Sequence, residues 1–203
     1  MSKARLSLPT RFTRWVLVSL FRMRGWQVEG RGPPDVQRCI LVAVPHTSNW
    51  DFIVFMGIAN ANNVMPAFMG KDALFKWPMT RFMHEMGGVP VDRSAPRGVV
   101  RQVVQEFENR DEFMLVIAPE GTRKKTSKWK TGFYRIAMKA GVPLVCGFAD
   151  NERKVAGLGP AVMPTGDYHA DMEKLFGFLA DETAIDAQAM IAAATAGHER
   201  TLD

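Results

Sequence analysis

His46 and Asp51 stand five positions apart in VPHTSNWDF (44 to 52), directly after the apolar run RCILVAV. An imidazole can take a proton from a hydroxyl near neutral pH, and a carboxylate in the next helical turn can hold its other ring nitrogen and stabilise the imidazolium. Ser48 and Asp51 also have the spacing of a capping box, so the same stretch serves as an ordinary helix start. That role accounts for Asp51 and leaves His46 unexplained. It is a titratable ring at the C-terminal end of a buried strand, the place where open α/β sheets hold ligands.

Two later stretches carry charge to comparable places. APEGTRKKTSKWK (118 to 130) follows the run FMLVIA, and Pro119 and Gly121 force a turn at the strand end. Five of the eight residues from Arg123 to Lys130 are basic, which suits either a solvated loop or a pocket for phosphate oxygens. GGVPVDRS (87 to 94) brings Asp92 and Arg93 out of a short strand. In a parallel sheet His46, Arg93 and the turn from Glu120 to Arg123 emerge on one edge. One base and two cationic anchors there suit attack by a hydroxyl on a molecule that also carries phosphate.

The elements that must position these residues are legible as alternating apolar runs and helix-period segments. Strands are expected at 38 to 44, 64 to 69, 89 to 91, 113 to 118 and 143 to 149, and helices near 48 to 59, 72 to 86, 96 to 109 and 131 to 140. Ser94 with Pro96 suits one helix start, and Gly141 with Pro143 suits a helix stop. The alanine-rich stretch from Asp167 on reads as one or two helices. The fold class is therefore α/β: a single domain with a mostly parallel mixed sheet flanked by helices. A hydrophobic content of 47% over 203 residues is enough for one real core.

Composition narrows the function classes. Cys39 and Cys146 lie in apolar stretches and form no CxxC pair, and the four histidines have no metal-ligand spacing, so buried thiols and no metal are expected. There is no GxGxxG, GxxxxGK[ST] or GxSxG. The net charge of +5 is concentrated: residues 1 to 31 carry seven basic side chains against Glu29. Wound as a helix, this leader places Phe12, Val16, Leu17, Leu20, Phe21 and Met23 on one face, Arg11, Arg14 and Arg22 opposite, and Trp15 at the border. Residues 1 to 31 thus read as a basic amphipathic segment, with residues 3 to 24 lying on an anionic membrane surface; a terminal helix packed on its own domain is the alternative. It has no signal-peptide cleavage site, the 19 uncharged residues from Phe52 to Gly70 are too interrupted to span a bilayer, and a nucleic-acid partner is not expected.

Four blocks in order carry a resemblance: His46-x4-Asp51, Gly87-x-Val-Pro-Val-Asp-Arg93, Glu120-Gly121-Thr122-Arg123 and Val142-Pro143-Leu144-Val145, together with Lys71 and the stretch from Lys130 to Phe133. The set resembles the glycerolipid acyltransferases typified by 1-acyl-sn-glycerol-3-phosphate acyltransferase, over roughly residues 38 to 150. The resemblance implies an acyltransferase domain over 32 to 203, with His46 and Asp51 catalytic. It implies that Lys71, Arg93, Glu120, Gly121, Thr122, Arg123 and Lys130 surround the acceptor, and that Val142 and Pro143 border the acyl donor or chain. The implied substrates are a lysophospholipid, foremost lysophosphatidate, and acyl-CoA or acyl carrier protein, with no tightly bound cofactor, at the cytoplasmic side of the inner membrane. Glu120 would repel a phosphate, so its expected part is to pair with a cation or bond a hydroxyl and hold the site. Pro45 stands where the family has Asn, and Pro90 where an aromatic is common. Competing readings are a different lysolipid acceptor, an acyl-thioester hydrolase and a lipid-binding relative without catalysis.

Overall fold

Apolar runs bounded by glycine, proline and polar residues become strands buried on both faces, and the segments between them become helices. The computed structural model of the chain describes residues 6–30, 32, 36–46, 50–91, 96–121 and 129–199. The first five residues, Ser48, Asp92, Arg93, Ser94, Thr122 and Arg123 lie outside that set. Within it a sheet is built from β1 (Gln27–Val28), β2 (Arg38–Val44), β3 (Ala67–Lys71), β4 (Gly88–Val91), β5 (Phe113–Ile117), β6 (Leu144–Asp150) and β7 (Val155–Val162), in spatial order β1-β7-β6-β2-β5-β3-β4. From β6 to β4 every pairing is parallel; β7 returns antiparallel to β6, and β1 runs beside β7. This is the mostly parallel sheet expected.

β2 sits at the centre, and its alternation divides the core. Ile40, Val42 and Val44 pack with Phe107, Phe133 and Phe176 from α4 (Pro96–Glu108), α5 (Gly132–Ala140) and α6 (Tyr168–Phe176). Cys39 and Leu41 face the other way, toward Phe21 of α1 (Leu8–Met23) and Val54 and Ile58 of α2 (Trp50–Ala61). Both cysteines are free and buried, and burial pushes the Cys39 thiol up to about 12. Such a thiol is a small apolar filler and no nucleophile.

Three departures from the expected elements are seen. The stretch 72 to 86 is not one helix but a 3₁₀ turn (Asp72–Phe75) and a short α3 (Thr80–Glu85), because Pro78 lacks an N–H and drives Trp77 out of helical conformation. β1 and β7 join the sheet unannounced. The region after Asp167 forms three helices, α6, α7 (Leu179–Glu182) and α8 (Ala187–Glu199).

The apolar stripe of α1 is divided. Phe21 is buried on α2, where a Cβ on Gly57 would lie 2.5 Å from its ring, while Phe12, Trp15 and Met23 stay exposed. The first turn of α1 is clasped by Glu85: the Ser7 and Thr10 hydroxyls and the Ser7 N–H all donate to its Oε2, the amide at 3.1 Å. These donors hold the Glu85 carboxyl down at about 2. No helix among the described residues is long and apolar enough to cross a membrane.

α8 is pressed against the strand-to-helix connection before α5. Trp129 N–H donates to the Ala193 carbonyl at 3.2 Å, and a Cβ on Gly197 would fall 2.1 Å from the Trp129 carbonyl oxygen. That contact is backbone, which cannot rotate aside. Gly197→Ala is expected to push α8 away and lower the free energy of unfolding by about 1–3 kcal/mol, read as a lower denaturant midpoint at unchanged slope.

Candidate active site

β2 ends at Val44, where the cis Val44–Pro45 bond follows. Past that point the sheet no longer supplies backbone partners, so the His46 N–H needs an acceptor. Glu120 provides it from the end of β5, with Oε1 3.0 Å from the His46 nitrogen. The next helix, α2, carries Asp51 in its first turn, and Asp51 Oδ2 lies 2.9 Å from His46 Nδ1. The side chains are 29% and 19% exposed, so the pair is open to a substrate but shielded from bulk water. Nδ1–H donates to the carboxylate, so Asp51 engages Nδ1 and not Nε2. The spacing seen in the sequence is thus a contact in the fold.

The Glu120 carboxylate accepts from the His46 main chain and lies close enough to the imidazole to interact with its charge. Burial raises the Glu120 pKa, the His46 N–H and the imidazole charge offset part of that rise, and the neighbouring Asp51 charge adds to it. The turn that presents Glu120 closes through Gly121 N–H to the Ala118 carbonyl at 3.1 Å. Gly121 suits this turn because its φ is +65°, a conformation that L side chains rarely adopt, and the Lys130 chain lies against it. Lys130 is itself fixed by its N–H to the Pro119 carbonyl at 2.9 Å, so its ammonium rests on the same turn.

A cavity of about 1200 Å³ opens beside these groups. His46, Asp51, Lys130 and Arg135 line part of it, and Phe52, Phe55, Phe68, Val99, Val100 and Ile136 give it an apolar wall. A second pocket of about 40 Å³, almost wholly apolar, reaches His46 from the side of Val54, Ile58 and Leu158. His46 therefore stands between a charged rim and space suited to hydrocarbon.

The other expected site residues divide by location. Lys71 ends β3, exposed, on the same edge as His46. Arg93, Thr122 and Arg123 lie outside the described residues. Val142 and Pro143 precede the first residue of β6, which runs parallel to β2, and the Pro143 carbonyl accepts from the Ile40 N–H. Six residues of strand separate Ile40 from His46, about 20 Å. Val142 is buried in the core at the opposite end of the strands from His46. Sequence reading missed Arg135, Trp129 and Gly197 in the cavity lining. Only the helical period of 131 to 140 hinted at Arg135, and α8 offered no signal beyond its small residues.

The model of the Acyltransferase family matches residues 27–146. A crystal structure of the 1-acyl-sn-glycerophosphate acyltransferase PlsC from Thermotoga maritima is similar in fold, with a TM-score of 0.55 at 18% identity, covering 87% of this chain and 82% of that one. No curated relative matches.

Because Glu120 holds its proton more tightly folded than unfolded, the folded state binds more protons through the pH range between its ordinary and raised pKa, and stability falls as pH rises through it. Glu120→Gln is expected to remove that fall while keeping an acceptor for His46 N–H. Glu120→Ala leaves the amide orphaned and is expected to cost about 1–3 kcal/mol at all pH values. Melting curves of the three proteins across the acidic range separate these effects.

Proposed function

Because the chain belongs to the Acyltransferase family, we propose that this enzyme moves a fatty acyl group from acyl-CoA or acyl carrier protein to the free hydroxyl of a lysophospholipid. The acceptor this reading favours is 1-acyl-glycerol-3-phosphate, giving phosphatidate. The carrying observation is the 2.9 Å contact of His46 with Asp51 on the wall of a cavity that is cationic on one side and apolar on the other.

His46 Nε2 takes the hydroxyl proton as the acceptor oxygen attacks the thioester carbonyl carbon. Asp51 keeps the ring oriented and favours the imidazolium that forms. When the tetrahedral intermediate collapses, the carbon–sulfur bond breaks and the proton passes from His46 to the departing thiolate. The thioester brings its own activation, so the step needs no bound cofactor. Glu120 is a positioning residue acting through the His46 main chain. Lys130 and Arg135 offer charge to a phosphate, with Lys71, Arg93, Thr122 and Arg123 assigned to the same acceptor. The apolar wall from Phe52 to Val100 takes an acyl chain.

The lipid nature of both substrates fits a peripheral position in which α1 rests on the anionic, cytoplasmic face of the inner membrane. Its three arginines are unopposed by acid, and Leu8, Phe12 and Trp15 remain outside the core.

His46→Ala is expected to lower kcat for acyl transfer by about 10²-fold or more with the melting temperature unchanged. Thiol release from radiolabelled acyl-CoA, followed by lipid product identification over a panel of lysolipids, measures it. Residual transfer near the wild-type rate would remove His46 as the base, and thiol release without an acylated lipid would make the enzyme a hydrolase.

A further inference from the structure

Eight of the twelve large apolar side chains that stay exposed among the described residues fall in two stretches, 8–23 and 65–79. α1 contributes Leu8, Phe12 and Trp15; the segment around the 3₁₀ turn contributes Leu74, Trp77 and Met79. Trp77 is 91% exposed. A ring that open adds nothing to the core and keeps its whole apolar area in water.

The loop presenting it is nevertheless firmly built. Phe75 occupies the space beside Gly70 and Gly88, where a Cβ on either glycine would come within 2.8 Å of its ring. It also meets His84 with ring centroids 5.0 Å apart. Thr80 Oγ1 donates to the Phe75 carbonyl at 2.7 Å, and Met79 N–H to the Lys76 carbonyl at 2.9 Å. A partner thus meets a preformed apolar tip and need not order it.

The tip and α1 are held as one surface. α3, about 9 Å long at six residues, runs from the tip to Glu85, and Glu85 clasps Ser7 and Thr10. Arg14 Nη1 donates to Met65 Sδ at 3.2 Å. Across 8–23 and 71–85, six lysines and arginines stand against two carboxylates, Asp72 and Glu85, and Glu85 is already engaged. The apolar tip is therefore set in a cationic surround, complementary to a sheet of anionic headgroups.

We propose that Leu74–Met79 is a second membrane contact, seating Trp77 at the headgroup level of an anionic bilayer beside α1. This rests on the reading of α1 as a membrane-surface helix. Tryptophan favours that level because its ring is apolar and its N–H is polar. The 3₁₀ turn starts after Lys71, on the sheet edge that carries His46, so docking the tip turns the cavity edge toward the lipid that supplies its substrates.

The test is co-sedimentation with vesicles of phosphatidylglycerol in phosphatidylcholine and of phosphatidylcholine alone. Trp77→Ala is expected to weaken partition to the anionic vesicles by roughly 10-fold or more, with transfer to detergent-dispersed acceptor unchanged. A W77C protein labelled with an environment-sensitive dye, the native cysteines being buried, is expected to shift its emission to the blue with anionic vesicles only. Wild-type binding with equal binding by W77A and no dye shift overturns the second contact and leaves the α1 reading standing. Absence of wild-type binding overturns both, and a dimer that depends on Trp77 assigns the tip to a second copy and overturns the proposal. Failure to acylate any lysolipid would sink the proposed reaction while the vesicle and dye results still decide this contact.

Discussion

The ladder of β2 runs out at Val44, and the hydrogen bond from the next free amide, His46 N–H to Glu120, is the interaction on which the site depends. It ties the end of β2 to the end of β5, and so brings the turn bearing Gly121 and Lys130 up to the imidazole. The carboxylate is held in a half-buried place that disfavours its charge, yet it is the acceptor that an otherwise orphaned amide needs. The geometry of the candidate site is a continuation of sheet geometry past its last pair.

From that tie the rest of the site follows outward. β2 delivers His46 and α2 delivers Asp51, the one from a strand buried on both faces and the other from a helix packed on α1. The turn after β5 is braced in its own right, through Pro119 to Lys130 and through Trp129 to α8. Lys130 is therefore placed by α8 as much as by the strand that precedes it.

Much of this was legible in residue order, for reasons that differ by element. β2, β5 and β6 are runs of Val, Ile, Leu and Phe that can hardly be anything but buried strands. His46 and Asp51 were found because a strand end and a helix start fix their separation. β7, VAGLGPAV, was not among the expected strands: two glycines and a proline interrupt its strand pattern, yet Gly157 and Gly159 are glycines because Glu29 and Phe178 press on them. The partner of Glu120 was not legible either, since a main-chain donor leaves no trace in residue type. The place of Val142 and Pro143 at the far end of β6 was not legible, because order in a motif series does not say which end of a strand a block occupies. The stripe of α1 was visible, but periodicity cannot say that Phe21 turns inward to Gly57 while Phe12 and Trp15 turn out.

The place of β2 in the sheet also sets an order of assembly. Both its neighbours, β5 and β6, come from residues 113 to 150, so during synthesis a strand apolar on both faces has no hydrogen-bonding partner until most of the chain has left the ribosome. Pairings this distant in sequence are slow to form, and an unpaired apolar strand is prone to aggregate while it waits. The nascent chain thus has a long window in which His46 and Asp51 already exist as neighbours in sequence but have no sheet to stand on, and a chaperone would meet β2 exposed throughout it.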